Sequence, residues 1–101
     1  MHASIWQFRG DPDALTSAYE SMIAEIPAEN MRLHLCLRTN DGLLMIDTCP
    51  SQEVFAAFAG SEAFRALREA CGLPEPDSVE DHPVYAAFAG GQRVSWDVTP
   101  P

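Results

Sequence analysis

Basic residues are scarce in this chain: 6 stand against 15 acidic ones, giving a formal charge of −9 over 101 residues. A polyanion finds no basic stripe from which to release counterions, so nucleic acid is not an expected partner. Long apolar runs are missing too. No stretch approaches the ~18 consecutive apolar residues of a membrane-spanning helix, and no membrane partner is expected. The opening Met1-His2-Ala3-Ser4-Ile5-Trp6 lacks the basic-then-apolar layout of a secretory signal, so the expected location is cytoplasmic.

Cysteine is sparse as well. Cys36, Cys49 and Cys71 form an odd set without the close CxxC spacing of zinc or redox sites, and in a reducing compartment they are expected to be free thiols. No GxGxxG, P-loop, HExxH or nucleophile-elbow sequence occurs, which disfavours nucleotide-dependent chemistry, and no cofactor is expected. The acidic run Glu75, Asp77, Glu80 and Asp81 lacks the glycine and ligand spacing of an EF-hand and reads as a solvated loop.

What is present is an ordinary globular composition, 47% hydrophobic and 21% charged. One domain of this size buries only roughly 60 to 65% of its unfolded surface, so pairing with a second copy would help it. Ala3 to Arg9 reads as a first strand ending at Gly10. Asp11-Pro12-Asp13 then supplies a helix N-cap and a proline at the first helical position. Leu15, Ala18, Tyr19, Met22, Ile23 and Ile26 follow at helical spacing, up to about Pro27.

Met31 to Arg38 alternates as a strand and returns through Thr39-Asn40-Asp41-Gly42 into Leu43 to Thr48, a hairpin. Ser51 to Cys71 reads as a helical region interrupted at Gly60-Ser61, with Ser61 capping the restart and Gly72 ending it. Leu73 to Glu80 reads as a loop, and His82 to Ala89 as a fourth strand bounded by Gly90-Gly91. Residues 1–91 then form the domain. Residues 92–101 are a tail, or a short extra strand through Val94, Trp96 and Val98.

The order strand, helix, strand, strand, helix, strand predicts an α+β, ferredoxin-like βαββαβ fold, with a four-stranded antiparallel sheet covered by helices on one face. The other face is left bare. Two copies placed sheet to sheet would cover it, so a homodimer forming a dimeric α/β barrel is expected.

The pattern resembles the dimeric α/β-barrel superfamily, specifically small proteins of the antibiotic-biosynthesis-monooxygenase-like and stress-responsive type. The resemblance spans about residues 3–89. It rests on Trp6-Gln7-Phe8 before Gly10-Asp11-Pro12-Asp13, and on the hairpin Leu33-His34-Leu35-Cys36-Leu37 to Leu44-Met45-Ile46-Asp47. Ser51-Gln52-Glu53-Val54-Phe55, Ser61-Glu62-Ala63-Phe64 and Pro83-Val84-Tyr85 complete it. It implies cofactor-independent oxygenase, haem-degrading, cyclase or isomerase activities. The Asn, Trp and His set of the haem-degrading members does not map here, since Trp6 lies on the first strand and Asn30 and Asn40 lie in loops.

The candidate chemistry sits on the hairpin. Leu33, Leu35 and Leu37 share one surface, expected to grip the helices, while Arg32, His34, Cys36 and Arg38 share the other, expected to wall the dimer interior. Asp47, opposite His34 or one pair away, would hold its imidazole as a general base. Arg32 would stabilise the resulting anion. Trp6, Gln7, Cys36 and Tyr85 are the further candidate contacts to a small hydrophobic or aromatic ligand.

The leading expectation is cofactor-independent oxygenation or proton-transfer chemistry, of cyclase or isomerase type, on an aromatic or polyketide-like substrate. The alternative is a non-catalytic dimeric ligand-binding or stress-response module. A third reading is haem or metal binding through His34 with Cys36, Met45 and Cys49, although their spacing is not specific.

Overall fold

The computed structural model describes residues 1–95. Strand β1 (His2–Arg9) leads into helix α1 (Pro12–Ile23), a 3₁₀ turn (Ala28–Asn30), and the hairpin β2 (His34–Thr39) and β3 (Gly42–Cys49). Helices α2 (Gln52–Ala59) and α3 (Glu62–Cys71) follow, then β4 (Ser78–Pro83) and a small hairpin, β5 (Phe88–Ala89) with β6 (Gln92–Arg93). The first four strands form one antiparallel sheet in the order β2-β3-β1-β4, an arrangement compatible with a ferredoxin-like fold.

The boundaries follow local chemistry. Asp11 caps α1 by accepting from the Asp13 N–H, and Pro12 occupies a position whose missing N–H costs nothing. Ser51 and Ser61 cap α2 and α3 through the Val54 and Phe64 N–H groups. Gly72 ends α3 in the left-handed conformation at φ 82°, which lets the Leu73 N–H return to the Arg68 carbonyl at 2.9 Å. The β2–β3 turn tightens to Asn40-Asp41, with Thr39 opposite Gly42. At Gly42 a Cβ would stand 1.8 Å from the Phe8 carbonyl oxygen, so only glycine lets the hairpin lie this close to β1.

All helices of the domain pack on one face of the sheet. Trp6 and Phe8 of β1, Leu43 and Met45 of β3, Leu15, Ala18 and Met22 of α1, and Phe64 and Leu73 form the buried core. This corrects the expected facing of β2. Its register sets Cys36 opposite Met45 and His34 opposite Asp47, and Met45 in turn lies opposite Trp6. The bulkiest rings of β1 therefore bring His34 and Cys36 to the helices. Leu35 and Leu37 turn away and are 57% and 46% exposed. Alternation groups residues by face, but the total apolar volume across several strands decides which face the helices cover.

The fourth strand also differs from its expected span. It lies at Ser78–Pro83, inside and beyond the stretch expected as loop, because β1 offers partners only from Gln7 back to His2. The last rung joins the Val84 N–H to the Met1 carbonyl, and the chain then runs out of strand to pair with. Met31 to Leu33 likewise precede β2 instead of belonging to it. Val94 extends the small hairpin by donating to the Ala87 carbonyl, whereas Trp96 and Val98 lie outside the described residues.

Candidate functional site

His34 opens β2 and Asp47 sits near the end of β3, directly across the ladder. Their side chains meet through His34 Nδ1 and Asp47 Oδ1 at 3.0 Å, with only 12% and 26% of the two side chains exposed. On the far side of the ring, His34 Nε2 lies 2.7 Å from the Tyr19 hydroxyl, which α1 lowers onto the sheet. The two ring planes are tilted by only 12°. Asp47, His34 and Tyr19 thus form one hydrogen-bonded line from β3 through β2 to α1.

The environment assigns directions to that line. Burial, reinforced by the neighbouring Cys36, Glu20 and Asp47, pushes the Tyr19 phenol up to about 12, so it keeps its proton at neutral pH. In the tautomer that directs Nδ1–H at the Asp47 carboxylate, Nε2 is the acceptor and the Tyr19 hydroxyl donates to it. Burial and Glu20 push the Cys36 thiol up. The Cys49 thiol also rises, through burial first and then Asp81 and Asp47, against the opposing effect of its Ser51 backbone contact. Protonated thiols of this kind are poor nucleophiles.

A cavity of about 340 Å³ lies beside this line, between the sheet and the helices. Met22, Ile23 and Ile26 form one wall, Asn30 and Met31 an edge, and Val54, Phe55, Phe58 and Phe64 the opposite wall. Trp6, Met45, Thr48 and Cys49 complete the sheet side, where His34 and Asp47 are the hydrogen-bonded acid–base pair. Trp6 is fixed by donating its indole N–H to Ser4 Oγ at 2.8 Å and by edge-on contacts with Phe55 and Phe64. A mainly apolar concavity with a few convergent polar groups is the usual character of a small-molecule site.

Of the residues expected at the site, His34, Asp47 and Trp6 come together on this cavity. Cys36 packs against the core, across from Met45 and next to the Tyr19–His34 pair, outside the cavity lining. Gln7 lies on the opposite sheet face, where Ser78 Oγ donates to its Oε1 at 3.3 Å. Arg32 is exposed in the segment before β2 and does not line the cavity. Tyr85 is 95% exposed, because it follows the last sheet rung instead of sitting within the fourth strand.

The cavity itself lies within a single chain, between sheet and helices, and not on the bare face where a barrel interior was expected. Tyr19 was legible only as one apolar position of a helix stripe. Its hydroxyl contact depends on how α1 crosses β2. A second pair, His2 Nδ1 and Asp81 Oδ2 at 3.3 Å, stands at the β1–β4 end of the same face, and Asp81 Oδ1 is buried without a hydrogen-bond partner among the described residues. Among the described residues, no group of three or more His, Cys, Asp or Glu side chains is arranged to hold a metal ion, and no helix is long and apolar enough to cross a membrane.

No family model matches the chain, and no curated protein or solved structure matches it either.

Proposed function

We propose that the protein binds a small, largely apolar, aromatic molecule in the cavity between sheet and helices, and that His34, oriented by Asp47, removes a proton from it. The observation that carries this reading is the Asp47–His34 pair on the wall of an otherwise mainly apolar concavity. A carboxylate on Nδ1 fixes the tautomer and stabilises the imidazolium formed when Nε2 takes up a proton. Tyr19 holds Nε2 in the free protein, so an acidic phenol or carbon acid enters by exchanging for that hydrogen bond. The proton step calls only on this chain's own side chains. The resulting anion is the electron-rich species that oxygenation by dioxygen, cyclisation or isomerisation requires.

This proposal keeps the chain within the dimeric α/β-barrel resemblance, with one change of place: the ligand sits inside each protomer. The bare sheet face, bearing Leu35, Leu37, Ile5, Leu44 and Ile46, is then the homodimer surface.

The decisive experiment is mass spectrometry of small molecules released from the purified protein, followed by turnover of the identified compound. His34→Ala is expected to lower turnover by roughly 10²- to 10⁴-fold while the molecule still binds. Full activity in that variant would sink the general-base assignment. One observation favours a second reading, a binding module without catalysis: both ring nitrogens of His34 are already hydrogen-bonded. In that case the bound molecule is recovered unchanged, and His34→Ala alters its affinity only.

A further inference from the structure

The wall made by Trp6, Phe55 and Phe64 has a second side. There it floors an open groove of about 630 Å³ between α3, the loop before β4, and Val79 of β4. Arg68 lines that groove and is only 7% exposed. One of its guanidinium nitrogens, Nη1, donates to the Leu73 carbonyl at 3.2 Å, and among the described residues no carboxylate lies within ion-pairing distance of it. Arg65 lines the same groove but is committed to Glu62 at 2.8 Å, leaving Arg68 as the unneutralised cation.

A buried charge is costly unless paired, and a guanidinium offers five N–H donors where one carbonyl takes up little of that capacity. The remaining donors of Arg68 are not buried orphans, because among the described residues Asp81 Oδ1 is the only buried side-chain polar atom without a partner. They therefore keep some contact with solvent, and the groove is the concavity that Arg68 lines. This is unusual in a chain with 6 basic residues against 15 acidic ones, where a partner acid would be easy to supply.

We infer that this groove is a binding site for a monoanionic carboxylate with an apolar, aromatic-sized body, its carboxylate on Arg68 and its body against Trp6, Phe55 and Phe64. The planar guanidinium fork matches a carboxylate in two parallel hydrogen bonds. The apolar part of the lining, to which Phe55, Ala59, Pro76 and Val79 contribute, favours a hydrophobic body over a small hydrated ion. Glu62 and Glu75 on the rim, together with the net charge of −9, disfavour a phosphate dianion. The site is separate from the proton-transfer reading, since His34 and Asp47 line only the other cavity.

The test uses 2-naphthoate and its uncharged isostere 2-naphthamide, titrated into the full chain and followed by calorimetry and by amide and arginine side-chain NMR shifts. Naphthoate is expected to bind roughly tenfold or more tightly than the amide, with shifts at Arg68, Phe64 and Val79. Arg68→Met, which retains an apolar stem, is expected to erase the acid-over-amide preference. Arg65→Gln and His34→Ala should each keep it, and inorganic phosphate should shift no Arg68 signal. Equal binding of acid and amide by the unaltered protein overturns the proposal, as does an unchanged preference in a folded Arg68→Met. If that variant does not fold, Arg68→Lys replaces it, and loss of at least half the preference in binding energy is the supporting result.

Discussion

The two faces of the four-stranded sheet are made from alternate residues of the same strands, yet they are chemically unlike. The helix-covered face carries Trp6, Phe8, Leu43 and Met45 as core, and gathers the polar side chains Ser4, His34 and Asp47 in mutual or ring contacts. The bare face carries Ile5, Leu35, Leu37, Leu44 and Ile46, with Gln7 and Ser78 near its β4 edge. Ser4, His34 and Asp47 can be buried on the first face because each finds a partner there, whereas Asp81 Oδ1 on the same face is buried without one among the described residues. The second face is apolar across β2, β3 and β1 but polar along β4, where the Glu80 and His82 side chains are 64% and 66% exposed; its exposed leucines, Leu35 and Leu37, are where the proposed homodimer contact would form.

Four measurements sharpen or break that contrast. The largest effect is expected from Phe8→Ala on the covered face: Phe8 is 1% exposed, so its loss should cost about 3 to 5 kcal/mol in urea unfolding. A cost near zero would mean that the covered face is not the core. Next comes Asp47→Ala, which strands the His34 Nδ1–H and should destabilise by about 1 to 3 kcal/mol. Urea unfolding with and without added ligand separates that cost from any loss of binding.

On the bare face, Leu35→Asp should leave protomer stability within about 0.5 kcal/mol while shifting the sedimentation coefficient from dimer to monomer. An unchanged sedimentation profile would deny this face its role. The smallest effect concerns Tyr19. Its folded value near 12 exceeds the unfolded value of 10.0, so the stabilisation tied to its proton is complete below about pH 10 and disappears as pH rises through 12. Phenolate absorbance should show one late-titrating tyrosine, absent from Tyr19→Phe.

Much of this frame is written in local sequence. The caps at Asp11, Ser51, Ser61 and Gly72 each follow from one residue and its immediate neighbours, and the structure uses all of them. The hairpin itself is legible, but the sequence leaves His34 opposite Asp47 or one pair away; the Asn40-Asp41 turn, with Thr39 opposite Gly42, makes the pairing direct. Other features are properties of the assembled sheet. Which way Cys36 and Leu35 point depends on Trp6, a strand away, and where β4 ends depends on where β1 begins. Beyond Val84 the chain has the composition of a strand but has run past the end of β1, and Phe88–Ala89 pairs with Gln92–Arg93 in the small hairpin instead. The Tyr19–His34 contact needs the crossing of α1 over β2, which no spacing within either element encodes.

Gly42 carries an implication for how this chain tolerates change. With the Phe8 carbonyl occupying the space that any β-carbon would need, the position accepts one of the twenty amino acids. The hairpin bearing both His34 and Asp47 is seated against β1 by that vacancy. A mutational scan should therefore find the site's alignment more sensitive to a methyl group at this distant turn than to most substitutions on the walls of the cavity.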